Sequence, residues 1–196
     1  MAKHTFLSMI LIVLSITGTA QIEAGKEFSY KQLNWKIIIP QGTTVVSAQE
    51  SIRLEGKGAE AIEKTYGEKV ENNATTIFVV KYDDLNYFEA NQQPYDSISE
   101  PDYPTYFRGI NEMLYETFKK QIPNGTIDTS SSEELIAGLT FQKFRISISL
   151  PNNIVIRLIM FSRPFADKEF TVNIMYVDEE KGIRMMNAWK KSSFGK

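Results

Sequence analysis

The chain has no cysteine and a single histidine, His4, among its 196 residues. Without thiols, an exported protein of this kind folds without disulfides and relies on its core. The histidine stands in a leader-like start, so a processed chain would carry neither imidazole nor thiol. That excludes Ser-His-Asp triads, thiol nucleophiles, and the ligands that zinc, copper and iron favour. A strong charge of either sign is also lacking. The formal charge is −2, or −3 once Lys3 is removed, which gives no reason to expect nucleic acid. Nor is there an apolar run of about 20 residues, the length a membrane-crossing helix needs. What chemistry is left belongs to carboxylates, tyrosine, lysine, arginine and hydroxyl groups.

The opening "MAKHTFLSMILIVLSITGTAQ" has a short basic start, an apolar run over Phe6 to Ile16, and small residues at Gly18-Thr19-Ala20. This reads as a cleaved secretory signal over residues 1–20, with no lipid-attachment cysteine. Residues 21–196 then form one domain of secreted or periplasmic location, a length that suits a single sizeable core.

"EFSYKQLNWKIIIPQG" predicts two short strands around a Gln32-Leu33-Asn34 turn. In the second, Trp35, Ile37 and Ile39 alternate with Lys36 and Ile38, and Pro40 stops it. "SIRLEGKGAEAIEKTYG" predicts a helix, strongest over Ala59 to Tyr66 and weakened at its start by Gly56 and Gly58. "ATTIFVVKY" is a strand apolar on both faces, which needs cover on both sides. Residues 83–103 read as a long polar and aromatic connection. Helical spacing of Tyr106, Phe107, Ile110, Met113, Leu114, Thr117 and Phe118 then predicts a helix over Thr105 to Ile122, with Pro104 in its first turn.

The last third reads as three antiparallel strands, joined at Pro151-Asn152-Asn153 and at Pro164 to Lys168. A two-residue Asn152-Asn153 turn would pair Ile148 with Arg157, Ile146 with Ile159 and Phe144 with Phe161. Continued across the next hairpin, it brings Arg157 to Tyr176, where the guanidinium can lie over the ring. A final helix starts at the N-cap Asp178, runs to Lys190-Lys191, and would bury Ile183, Met186 and Trp189. The expected fold class is α+β, an antiparallel sheet flanked by helices on both faces in an α/β/α sandwich.

Three pieces, "FSYKQLNWKIIIPQG", "GKGAEAIEKTYG" and "MNAWKKSSF", carry a resemblance to the PsbP-like and Mog1-like superfamily. It covers roughly Glu27 to Phe194 and consists of strand-ending and helix-packing signals. PsbP proteins are extrinsic subunits of a photosynthetic complex, and Mog1 binds a small GTPase. The resemblance thus implies a bacterial, exported, non-enzymatic binding or accessory protein. It implies no cofactor, and no partner-site or metal-site residue carries over.

One stretch is compositionally unusual. Between Tyr82 and Phe107 lie five of the nine tyrosines, six carboxylates, three prolines and no basic residue. Tyrosines offer flat amphipathic faces at low entropic cost, so Tyr82, Asp84, Tyr87, Phe88, Tyr95 and Tyr103 are the candidate binding residues. The partner would be an envelope or extracellular protein or ligand. The plainer alternative is a surface connection whose tyrosines pack over a sheet edge. Asp83, Asp84, Glu89 and Asp96 lack the alternating spacing of a calcium loop. On the two-residue turn, Lys143 and Arg145 face one way and Arg157 and Arg163 the other, which splits a cationic patch. A carboxylate hydrolase would need a pair such as Asp84 with Glu134, since the adjacent Glu133 and Glu134 point apart in a strand. A third alternative is a carrier of a small apolar ligand, which requires a cavity between sheet and helix.

Overall fold

The computed structural model describes residues 22–67, 73–98 and 102–195; the leader lies outside them. Strands β1 (Glu27–Tyr30) and β2 (Trp35–Ile38) pair antiparallel across a single 3-10 turn at Lys31–Leu33. Asn34 closes that turn at φ 48°, a left-handed conformation asparagine tolerates. Trp35, Ile37 and Ile39 are buried while Lys36 and Ile38 are exposed, the alternation the sequence predicts. At the end of the chain, β10 (Ser193–Phe194) pairs with the free edge of β2 and completes a small sheet.

The larger sheet has seven strands, all paired antiparallel. They are β3 (Thr44–Val45), β4 (Thr75–Asp83), β5 (Asn86–Pro94), β6 (Thr126–Ile136), β7 (Leu139–Ser149), β8 (Val155–Phe165) and β9 (Lys168–Tyr176), in the spatial order β3-β4-β5-β9-β8-β7-β6. Three helices accompany them. In α1 (Ala48–Tyr66), Ser47 accepts the Glu50 N–H at 3.2 Å, and Gly67 ends the helix at φ 74°. In α2 (Tyr103–Gln121), Asp102 caps the Thr105 N–H and proline occupies the first turn. In α3 (Glu179–Lys190), Asp178 caps both Glu180 and Lys181. Each cap accepts a backbone donor that has no partner within the helix.

Two apolar clusters fill the interior, and the strands feed them with opposite parity. Phe88 and Ala90 of β5, Phe161 of β8, and Phe170, Val172 and Ile174 of β9 join Trp35 and the α3 residues Met185 and Trp189. Trp35 stacks on Phe78 at 5.7 Å and meets Trp189 edge-on at 6.2 Å. Residues of the other parity, including Phe144, Ile146, Ile148 and Met160, join Phe107 of α2 with Ile110, Leu114 and Phe118 around them. β4 serves both sides, since Phe78, Val79 and Val80 are all buried.

The structure corrects four sequence readings. Residues 83–103 are not a connection, because β5 lies within them as a central strand between β4 and β9. Asparagine, glutamine and proline are poor strand formers, which masks the alternation of buried Asn86, Phe88, Ala90 and Gln92 with half-buried residues between them. The last third holds four strands rather than three, since the serine-rich β6 forms the sheet edge beside β7. Asn153 adopts φ 63°, and the Leu150 N–H reaches the Ile154 carbonyl across a three-residue loop. The extra residue moves the β7/β8 register by one, so Ile148 pairs with Ile156, Ile146 with Leu158 and Phe144 with Met160. Lys143, Arg145, Arg157 and Arg163 therefore share one face. Three of the four are engaged: Lys143 pairs with Glu134, Arg157 with Glu179, and Arg163 donates to the Thr140 carbonyl, while Arg145 is exposed. The stacking of Arg157 on Tyr176 holds, at 5.7 Å.

The fourth correction concerns α3. Ile183 is 57% exposed, and Gly182, Met185 and Trp189 form the buried face. A side chain at Gly182 would meet the Tyr176 ring at 2.4 Å, which requires the smallest residue there. Gly182→Ala is expected to cost about 1–3 kcal/mol by overpacking, read as a lower Tm. At Gly56, where nothing described lies within 4 Å of an added methyl, Ala is expected to stabilise the helix by roughly 0.5–1 kcal/mol. A calorimetric scan of both variants checks the contrast, and equal shifts would refute it.

Candidate ligand cavity

On β5 and β9, three cross-strand pairs put polar residues side by side: Glu89 with Asn173, Asn91 with Thr171, and Gln93 with Glu169. They have the parity of the second cluster, opposite to Phe88 and Phe170. These six side chains form the floor of a cavity of about 720 Å³. Its apolar lining comes from Ile62 of α1, from Ile110 and Leu114 of α2, and from Val79, Leu158 and Met160 of the sheet. Arg53, Lys57 and the ion-paired Lys81 bring positive charge to its edge, and Glu50 and Asp84 flank Lys81 at 2.7 and 2.8 Å. A volume of this order accommodates a small organic ligand.

Glu169 anchors one end of the floor and is only 1% exposed. Its Oε1 accepts the Tyr103 hydroxyl and the Ser162 hydroxyl, each at 2.7 Å. Its Oε2 accepts the Gln93 amide and, at 3.5 Å, the Tyr106 hydroxyl. No lysine or arginine pairs with it among the described residues. A buried carboxylate is tolerated when its lone pairs are met by hydrogen bonds, and here neutral donors from α2, β5 and β8 do so. Burial, reinforced by the nearby Glu169 charge, holds the Tyr103 hydroxyl far above the usual phenol range. Tyr103 is therefore a proton donor at any physiological pH. Tyr87 is held above the phenol range in the same way, by burial and then by Glu89.

The six residues singled out in the sequence do not converge. Tyr95 packs edge-on against Tyr103 at 5.4 Å and Tyr106 at 5.3 Å, closing the Glu169 end of the cavity. Tyr82 and Asp84 stand at the other end of β5, a strand length of about 30 Å away. The Tyr82 hydroxyl donates to the Gln41 carbonyl and Asp84 pairs with Lys81. Tyr87 and Asp84 both line the cavity, whereas Phe88 is wholly buried in the first cluster and presents no surface. The residues missed by sequence reasoning are Asn91, Gln93, Glu169, Thr171 and Asn173. Their signal was a polar residue at every second position of segments otherwise fit for a buried strand.

The carboxylates weighed for hydrolysis stand apart. Asp84 and Glu134 belong to opposite ends of the strand order, about 24 Å apart across five strand spacings. Glu134 instead joins Lys143 and Lys190 at 2.6 and 2.8 Å. Burial works against its charge, yet the two ammonium groups outweigh it and keep its carboxyl below the ordinary range. Glu89 and Glu169 are both on the cavity floor, but four strand residues separate their rows, about 14 Å.

Beneath the β4–β5 turn, buried Asn86 accepts the Val177 and Asp178 N–H groups and donates to Asp83. Lys181 of α3 adds an ion pair to Asp83 at 2.7 Å. The Lys181 and Asn86 hydrogen bonds hold the Asp83 carboxyl below its ordinary range.

No protein-family model matches the chain, and no curated protein does. Among solved structures, the solution structure of cyanobacterial PsbP (CyanoP) from Synechocystis sp. PCC 6803 matches with a TM-score of 0.58. The match covers 93% of this chain and 99% of that one at 9% identity. The chain therefore has a PsbP-like α+β fold, and the likeness extends to the fold alone.

Two outcomes follow from this geometry. Tyr103→Phe leaves the buried Glu169 one donor short and is expected to cost about 1–3 kcal/mol, measured by urea unfolding; an unchanged midpoint would show that Tyr103 does not hold Glu169. A carboxyl depressed on folding stabilises above its unfolded value of about 3.9 and loses that contribution as pH falls through its folded value. Asp83→Asn is thus expected to be less stable than the parent at pH 7, with the gap closing below about pH 4. A gap independent of pH would contradict this.

Proposed function

We propose that the chain is an exported, non-catalytic binding protein that takes a small amphipathic ligand in the cavity between the β5/β9 floor and helices α1 and α2. The observation that carries this reading is the two-sided lining, a row of six polar side chains facing aliphatic residues from both helices. Five of the six find hydrogen-bond partners within the protein, and Asn173 makes none among the described residues, which leaves its amide for water or a ligand. The same Tyr82–Phe107 segment therefore supplies the site, but through the floor positions Tyr87, Glu89, Asn91 and Gln93 rather than through a tyrosine surface. A ligand that is apolar throughout fits such a floor poorly, which favours an amphipathic one over the apolar-ligand carrier.

The wide separation of Glu89 from Glu169 supports binding over glycoside hydrolysis, whose carboxyl pairs stand about 5–9.5 Å apart. Secretion or a periplasmic location, with removal of residues 1–20, belongs to this proposal, as does a processed form with neither histidine nor cysteine. No helix among the described residues is long and apolar enough to cross a membrane. The layered reading, helices on both sides of the large sheet, is supported by the two clusters of opposite parity.

The test is ligand-observed NMR of residues 21–196 with octanoate, indole-3-acetate and octyl glucoside. At least one is expected to bind, and Ile110→Trp, which fills the cavity from α2, is expected to weaken it by tenfold or more. Binding that Ile110→Trp leaves unchanged, or no binding to the parent protein, would overturn the proposal.

A further inference from the structure

The distribution of charge and hydrogen-bonding groups around the cavity narrows the ligand further, on the premise that the cavity is the binding site. The floor carries carboxylates, amides and a hydroxyl but no cation. Glu169 has its lone pairs met by Tyr103, Ser162, Gln93 and Tyr106, and Thr171 shares a hydrogen bond with Ser162 at 2.7 Å. Asn91 donates to Glu89 at 3.1 Å, which fixes both side chains relative to one another. Asn173 lies directly across from Glu89, is half-buried, and makes no side-chain hydrogen bond among the described residues. The end of the floor away from Glu169 therefore offers an amide that both donates and accepts, flanked by a held carboxylate and a second amide.

The positive charges lining the cavity are Arg53 and Lys57 of α1 and Lys81 of β4. Glu50 and Asp84 together outweigh the Lys81 charge, and the Asp84 carboxyl is held below its ordinary range by Lys81 first and by Arg53 as well. Arg53 and Lys57 stand one helical turn apart, exposed, and neither forms an ion pair among the described residues. The cavity therefore presents neutral and anionic acceptors at its floor, aliphatic side chains on its walls and two cations at its rim. A ring with hydroxyls around its edge, C–H groups on its faces and one carboxylate matches these three zones together. A fatty acid would leave the floor amides unmatched, and a simple amine would leave the rim cations unmatched.

We propose that this cavity binds a sugar acid, a saccharide unit whose hydroxyls meet Asn173, Asn91 and Glu89 while its carboxylate is held by Arg53 and Lys57. Hydrogen bonds to charged groups are the stronger ones, so the carboxylate is the part that discriminates this ligand from a neutral sugar.

Isothermal titration of residues 21–196 with glucuronate, glucose and octanoate tests this. Glucuronate is expected to bind at least tenfold more tightly than glucose. Arg53→Gln/Lys57→Gln is expected to abolish that preference, and Asn173→Leu to weaken glucuronate by tenfold or more, with circular dichroism confirming that each variant is folded. Both substitutions fall on residues exposed or facing the cavity, so the fold survives them. If glucuronate fails to bind, or binds no better than glucose, the sugar-acid assignment is overturned. Octanoate bound by the parent and lost in Ile110→Trp would then show that the cavity reading itself stands. If the parent binds neither these probes nor those used above, both readings fall.

Discussion

Much of the architecture answers to one buried carboxylate. Glu169 sits on β9, the strand in the middle of the large sheet, with almost no access to solvent. Removing an ionised carboxylate from water is expensive unless hydrogen bonds replace the lost hydration. In this fold the replacement comes from β8 through Ser162, from β5 through Gln93 and from α2 through Tyr103 and Tyr106. Those donors must stand around one point, so the start of α2 is fixed over the β5/β9 pair. The tyrosine pair is then packed from the side by Tyr95. The rest of α2 is oriented from that end, with Phe107, Ile110 and Leu114 meeting the second cluster.

Pinning α2 at one end is also what leaves space farther along. Past Glu169 the floor continues to Thr171 and Asn173 on β9 and to Asn91 and Glu89 on β5, none of them a residue that draws a helix down by apolar contact. α1 covers this region with Ile62 as its apolar contribution and with Arg53 and Lys57 as its polar one. The opposite side of the same strands is built differently. Phe88, Ala90, Phe170, Val172 and Ile174 close on Trp35 and Trp189 in a dense aromatic cluster. Stability is thus concentrated on one face of β5 and β9, which frees the other face to be polar.

That division explains what could be read in the sequence and what could not. The β2 alternation of Trp35, Ile37 and Ile39, the Tyr106–Phe118 periodicity and the Asp178 cap were legible because each element answers to one core and one solvent side. β5 was not, since its outward positions are neither apolar nor solvent-exposed but line a cavity, and "NYFEANQQP" then looks like a loop. β6 hid for a different reason. "TIDTSSSEELI" is an edge strand whose side chains are mostly exposed, so burial left little mark on it. The β7/β8 register depended on one backbone angle, at Asn153, and an Asn-Asn pair is compatible with both a two-residue and a three-residue loop. The unusual composition between Tyr82 and Phe107 did point to the region that builds the cavity. It pointed through the wrong residues, because the tyrosines are conspicuous while the amides between them look like filler.

The same reasoning bears on why the two ends of β5 differ. At the β4–β5 turn, Asp83, Asn86 and Lys181 tie the hairpin to the start of α3. At the other end, Gln93, Tyr95 and the Glu169 cluster tie the strand to the start of α2. Each tie captures the N-terminus of a helix rather than its middle. The far end of α2 is tied as well, since Phe118 and Ile122 pack on the second cluster and Lys120 donates to the Thr65 carbonyl of α1. Between the two ties, Ile110 and Leu114 face the cavity and form its α2 wall. The Glu169 end, which has every lone pair met, stays fixed.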